Sequence, residues 1–292
     1  MKTPIGDSEL IINPDGSIFH LHLLPQDIAD TIILVGDQDR VDVVSSFFDK
    51  IEVKKQNREF RTHTGTYKGK RLSVVSTGIG TDNIDIVVNE LDAIVNIDLK
   101  TRTPKDTHQK LNFIRIGTSG ALQEDLKVDE PVASKMSLGF DNLINFYANR
   151  NSICHLDIEQ AFIKHVSWNE NLHRPYVVES SEKLFKTIAQ GMPSGITISA
   201  PGFYGPQGRQ LRLQTADPDL NEKIRLFRYN ETKITNFEME CSAIYGLSQL
   251  LGHEALTVCL IIANRYIKQF SKDYKPPMVQ LINTILDRTL EL

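Results

Sequence analysis

The chain has 292 residues, is 40% hydrophobic and 24% charged, and carries a net charge of -4 with a pI near 6.1. That is the balance of an ordinary globular protein, and it excludes the clustered basic footprint of a nucleic-acid binder. The longest apolar run, Ala255–Ala263, is too short to span a bilayer. The stretch from Met1 to Leu10 has no apolar core, so no signal peptide is expected. Three widely spaced cysteines, Cys154, Cys241 and Cys259, offer neither a disulfide framework nor zinc spacing and suit a reducing cytoplasm.

In chain order, the first strand-like run is Thr31–Val35, ending in Gly36-Asp37-Gln38-Asp39-Arg40. A strand-end glycine frees a backbone amide, and an Arg four residues on can reach the same anion. An ordinary turn with a surface Arg reads the same way. Arg71–Ser76 follows and ends in Thr77-Gly78-Ile79-Gly80. Ile84, Val87, Val88, Leu91 and Val95 then recur at helical spacing. Segments 98–109 and 149–173 are polar and irregular and read as insertions or surface loops in one domain. Asn112–Ile116 is a strand ending in Gly117-Thr118-Ser119-Gly120. It carries Arg115 inside an apolar run, where an unpaired charge is expensive and needs a carboxylate or a bound anion.

Ser180 and Ser181 before Glu182 predict a helix start, with Leu184 and Ile188 on its buried face and Gly191 at its end. Ile196–Ser199 leads into a Gly/Pro-bent loop holding Phe203, Gln207 and Arg209. An amide beside a guanidinium can read the edge of a heterocycle, and an aromatic can wall it. In Glu238-Met239-Glu240, before the apolar stretch Ile244–Leu251, the acids either answer a helix dipole or clamp neighbouring sugar hydroxyls. The run Leu256–Ala263 ends in Asn264-Arg265, and Met278, Leu281, Ile282, Ile285 and Leu286 predict a final helix. Five strand-like runs thus end in glycine or polar loops, where α/β folds place their ligands.

The order Phe19-His20, Gly36-Asp37-x-x-Arg40, Arg58-Glu59-Phe60, Ser76-Thr77-Gly78-Ile79-Gly80, Arg115-Ile116-Gly117-Thr118-x-Gly120, Phe203-x-x-x-Gln207-x-Arg209, Glu238-Met239-Glu240-x-x-Ala243 and Asn264-Arg265 resembles the uridine phosphorylase branch of the nucleoside phosphorylase family. The resemblance implies a single α/β/α domain over residues 1–292 around a mixed, partly barrel-like central sheet, with insertions near 99–110 and 149–173. It implies that Gly36, Arg40, Arg115 and Thr118 hold phosphate, joined by Arg58 of a neighbouring subunit. Met239 and Glu240 would hold the ribose, with the neighbour's His20 near the 5′-hydroxyl. Phe203, Gln207 and Arg209 would hold a pyrimidine, with Glu238 and Arg265 behind base and ribose.

The implied reaction is nucleoside plus phosphate to free base plus pentose 1-phosphate, in a homo-oligomer that is a dimer or a hexamer of dimers. Its catalytic residues would be Arg40, Arg115, Arg209 and Glu240. No organic cofactor, catalytic metal, nucleic acid or membrane is expected, phosphate being a co-substrate. A structural potassium ion near Glu59, Ile79 and Asn83 is implied at the subunit interface. The chain carries Gln38-Asp39 where the family has Pro-Gly. That acid leaves a nucleoside hydrolase, using water where phosphate would sit, as one alternative and a non-catalytic nucleoside binder as another. A purine reading is weaker, because the purine branch has an Asp near the position of Asn264-Arg265.

Overall fold

A computed structural model describes residues 2–292. The first half contains β1 (Thr31–Val35), α1 (Gln38–Ser45), β2 (Lys50–Asn57), β3 (Phe60–Tyr67), β4 (Lys70–Ser76), α2 (Thr81–Asn96), β5 (Ile97–Asp98), β6 (Thr103–Pro104), β7 (Asn112–Ala121) and β8 (Pro131–Gly139). The second half contains α3 (Leu156–Val166), β9 (Tyr176–Glu179), α4 (Glu182–Ile188), β10 (Ser194–Ser199), α5 (Leu220–Leu226), β11 (Arg228–Tyr229), β12 (Thr232–Glu238), α6 (Cys241–Leu251), β13 (Glu254–Asn264), β14 (Gln269–Phe270) and α7 (Lys275–Thr289).

All strands except the β5–β6 pair belong to one mixed sheet, ordered β11-β12-β10-β8-β13-β7-β1-β4-β3-β2. A further pairing of β12 with β7 closes β7, β13, β8, β10 and β12 into a five-stranded barrel. The α/β architecture with a partly barrel-like sheet is therefore the one expected from the sequence.

The sheet is covered on both faces, which is why its central strands read as unbroken apolar runs. In β1, Ile32 and Leu34 pack with Val87, Val88 and Leu91 of α2 and Ile244 of α6. Ile33 and Val35 point the other way, to Val41 of α1 and Leu281, Ile282 and Ile285 of α7. The α4 start is as read: Ser181 caps it by accepting from the Leu184 amide.

Three expectations change. The segment after Gly36 is the helix α1, capped by Asp37 accepting from the Asp39 amide, so Asp39 and Arg40 lie in a first helical turn. The strand expected to stop at Gly117 continues to Ala121. Gly117 is there for room: a Cβ would lie 2.1 Å from Arg115 Nη1 and 3.0 Å from Cys259 Sγ.

Residues 149–173 are not wholly irregular, because α3 lies within them and buries Ile158, Phe162 and Val166. Those three apolar residues at i, i+4 and i+8 were hidden by polar neighbours. Residues 99–110 do form a surface segment, whose first part, 99–102, is closed by the short β5–β6 pair. It is tied down by His108 to the Leu251 carbonyl at 2.9 Å and by the Gln109 amide to Asn96 at 2.7 Å.

Candidate active site

A cavity of about 920 Å³ opens at the carboxyl ends of β1, β4, β7 and β12. Strand β7 supplies Arg115, Thr118, Ser119 and Gly120 to its wall. Arg40 Nη1 donates to the Ile116 carbonyl at 3.3 Å, and the Arg265 side chain lies 3.5 Å from where a Gly120 Cβ would sit. Four residues of strand separate those two marks, or roughly 13 Å. Along that distance the chemistry changes.

At the Ile116 mark, Gly36 brings a strand-end backbone and Arg40 a cation from the first turn of α1. No carboxylate lies within 4.0 Å of the Arg40 guanidinium among the described residues. Burial, then the neighbouring Arg115, lowers its pKa. A half-buried cation beside a second cation, with Asp37 acting on it only from beyond salt-bridge distance, is an arrangement that a bound anion completes.

Arg115 is buried and has the structural carboxylates that its strand position required. Its guanidinium pairs with Glu240 and, at 3.2 Å, with Glu238. Burial works to lower its pKa, but Glu240 and then Glu238 outweigh it and raise it. Glu238 ends β12 and accepts from Ser199 Oγ and from the amides of Glu240 and Cys241. Burial pushes its carboxyl above the usual range against the pull of Arg115, and Glu240 adds to the rise. Glu240 stands at the N-cap position of α6 without a side-chain cap bond, and its carboxylate instead accepts from the Gly80 amide at 2.7 Å. Glu238 thus serves the helix start, both acids serve the buried arginine, and Met239 between them lines the cavity.

At the Gly120 mark, Gln207 is buried and Arg209 stacks 3.8 Å over the Phe203 ring. Arg209 Nη1 also donates to the Phe203 carbonyl at 2.6 Å and to Gln207 Oε1. The loop is fixed from behind by Arg265 and Asn221, both donating to the Gln207 carbonyl, the latter at 3.1 Å. Burial, then Arg209, pushes Arg265 down to about 10. Both Gln207 and Arg209 line the cavity, and each has further N–H groups to donate.

The expected site residues therefore fall into two groups. Gly36, Arg40, Arg115, Thr118, Phe203, Gln207, Arg209, Glu238, Met239 and Glu240 line one cavity, with Arg265 behind it. His20 and Arg58 do not line it. They form a separate cluster, in which Arg58 lies 5.9 Å from the Phe19 ring and Asn57 Nδ2 holds the His20 carbonyl at 2.8 Å. Glu59, Ile79 and Asn83 also line the cavity, with Glu59 and Asn83 flanking Gly78. Asn83 Nδ2 points at the Ile79 carbonyl at 3.4 Å, so one chain presents a carboxylate and a shared carbonyl there.

Sequence reading missed Ser119, whose buried hydroxyl has no partner, and the apolar wall of Phe237, Ile262 and Phe270. Alternation along β7 past Gly117 was the available signal for Ser119.

Comparison with known proteins places this geometry. The family model of the phosphorylase superfamily matches residues 30–282. A uridine phosphorylase of Thermococcus kodakarensis is 31% identical over 264 residues, covering 88% of this chain and 81% of that protein. A DeoD-type purine nucleoside phosphorylase of Listeria monocytogenes is 28% identical over 243 residues, covering 83% and 85%. Among solved structures, a Trypanosoma brucei nucleoside phosphorylase described as having uridine phosphorylase activity superposes with a TM-score of 0.86. It is 29% identical, and the match covers 97% of this chain and 100% of that one. The strand-end cavity, the closed barrel and these matches have one reading: the chain belongs to the phosphorylase superfamily.

Proposed function

We propose that the chain is a uridine phosphorylase, a pentosyltransferase that cleaves a pyrimidine nucleoside with inorganic phosphate. The observation that carries this is the change in chemistry along β7. A cation without a salt-bridge partner, Arg40, stands at one mark, and the Gln207–Arg209 donor pair stands about four residues away. The Thermococcus and Trypanosoma relatives, described as acting on uridine, support the choice of base.

Phosphate sits against the Gly36 amide, Arg40 and Thr118, and Arg115 turns part of its fork from the acids to the anion. A phosphate oxygen forms a bond to C1′ while the glycosidic bond breaks and its electron pair leaves onto the base. Arg209 and Gln207 meet the charge that grows there, an electrostatic contribution made before the reaction begins. Glu240 and Met239 hold the ribose, so the reacting atoms stay aligned. The Phe203–Arg209 stack, with Phe203 half-exposed at the cavity mouth, walls the ring.

The partner copy supplies His20 and Arg58, which makes the active unit a homo-oligomer. Oxygens from Glu59 and the Ile79 carbonyl, with Asn83, would hold a structural potassium ion once a second copy completes the set. The three free cysteines accord with a reducing cytoplasm.

The test is release of uracil from uridine with and without phosphate. Phosphate-dependent release supports the reading. Release without phosphate makes the chain a nucleosidase, and saturable binding without release makes it a binder. Faster cleavage of inosine than of uridine moves it to the purine side, where its Listeria relative stands.

A further inference from the structure

Glu90 lies on α2, outside the cavity, and has no place in the chemistry described so far. Its carboxylate gathers three donors from the segment before β1. The His20 amide approaches at 3.0 Å, the Leu21 amide at 2.8 Å and His20 Nδ1 at 2.6 Å. An ionised carboxylate only accepts hydrogen bonds, so Nδ1 carries the proton. In the neutral ring the lone pair then sits on Nε2, which has no hydrogen-bond partner among the described residues.

The backbone is gripped from the other side by Asn57 Nδ2 on the His20 carbonyl, and Phe19 packs edge-on against the imidazole at 4.7 Å. An imidazole on a segment without regular structure would otherwise rotate and exchange tautomers. Here the ring, its tautomer and the two backbone amides at positions 20 and 21 are all fixed by one side chain from a helix.

We propose that Glu90 is the positioning residue for His20. It holds the Nδ1–H tautomer and so presents Nε2, as a hydrogen-bond acceptor, to the 5′-hydroxyl of a nucleoside in the cavity of a second copy of this chain. The proposal rests on the reading of His20 as a sugar contact delivered across the subunit interface. It gives the site a direction: a ligand with a proton to donate at the 5′ position fits, and a 5′-phosphate, an acceptor, does not. Glu90→Gln can instead donate to Nδ1, moving the proton to Nε2 and reversing the polarity of the contact.

The experiment has two arms. Nitrogen-15 NMR of the imidazole in the wild-type protein, with His20→Ala to assign the signal, should give a protonated Nδ1 and a bare Nε2. A protonated Nε2 with a bare Nδ1 overturns the proposal and needs no Glu90 variant to do so. In the second arm, kcat/KM is compared for uridine and 5′-deoxyuridine, which lacks the hydroxyl. Glu90→Gln should lower the uridine value by roughly tenfold and leave the 5′-deoxyuridine value unchanged, because only the first substrate has the contact to lose. An equal loss on both substrates means that Glu90 serves only the fold, and no loss on either means that it serves neither; both overturn the proposal. If His20→Ala narrows the gap between the substrates and Glu90→Gln does not, the sugar contact stands and Glu90 does not position it. If His20→Ala leaves the gap unchanged, the sugar-contact reading itself falls, and the proposal with it.

Discussion

Arg209 holds two positions at once: its face covers Phe203 and its edge meets Gln207. Under the phosphorylase reading its charge counts most when the glycosidic bond is broken, because negative charge on the base peaks there. Arg209→Ala should therefore lower kcat as well as raise KM for uridine, and steady-state kinetics separate the two. Leaving a buried acceptor unpaired costs about 1–3 kcal/mol, so the preference for uridine over inosine should shrink by tenfold or so in the variant. Unchanged kinetics would remove Arg209 from the base site.

Glu238 gives a pH test. Burial holds its carboxyl above the ordinary value of 4.5 in the folded chain, partly opposed by Arg115. The folded state thus binds that proton more tightly than the unfolded state does. The stability this contributes is fully present below the ordinary carboxylate range and is lost as pH rises through the higher folded value. Glu238→Gln removes the titration. Thermal unfolding should then show the difference between wild type and variant moving in favour of wild type as pH falls from about 8 to about 5.

Strands and helices were legible where burial was uniform, on one face of a helix or both faces of a strand. Helices α2 and α7 announced themselves because burial of one face writes a period into the sequence, and Thr31–Val35 because burial on both faces makes it an unbroken apolar run. Strand β2 did not: its exposure alternates along Lys50–Asn57, as on an edge strand whose outward side chains are charged. Strand β3, with Thr62, His63 and Thr64 buried, satisfies its polar side chains internally, as when Thr64 donates to the Asp27 carbonyl at 2.6 Å. No hydropathy pattern marks such a strand.

The cavity motifs were readable because each sits just after a visible strand. What no single segment could give was the pairing of Arg115 with two acids more than a hundred residues away. The role of Gly117 was hidden for the same reason, since glycine in sequence reads as a turn. Gly117→Ala should place a methyl on the guanidinium path and force Arg115 off Glu238 and Glu240. Activity should fall by about a hundredfold or more, with a lower Tm in the same sample because the buried acids lose their counter-charge. A variant with normal kcat/KM would mean that Arg115 does not need its present path.

At the scale of the whole molecule, the expected site residues are divided. Arg40, Arg209 and Glu240 line the cavity, whereas His20 and Arg58 stand in a cluster outside it. Arg58 holds a positive φ of 53° at the turn between β2, the last strand of the sheet, and β3. An exposed Arg held in that conformation contributes little to its own subunit. It gains a purpose if a second copy meets this edge through a two-fold axis, because each subunit then lends its edge residues to the other's cavity.

Subunit mixing tests this directly. On the shared-site reading, Arg58→Ala damages the site of the neighbour, and Glu240→Ala damages the site of its own chain. In a hybrid dimer both lesions fall in one cavity and the other is intact. Unfolding and refolding an equal mixture of the two inactive variants should thus restore about a quarter of wild-type activity, since half of the dimers are hybrids and half of their sites are whole. Each variant refolded alone should stay inactive. If the mixture is no more active than its components, each chain builds its site by itself, and Arg58 works, if at all, from within its own subunit.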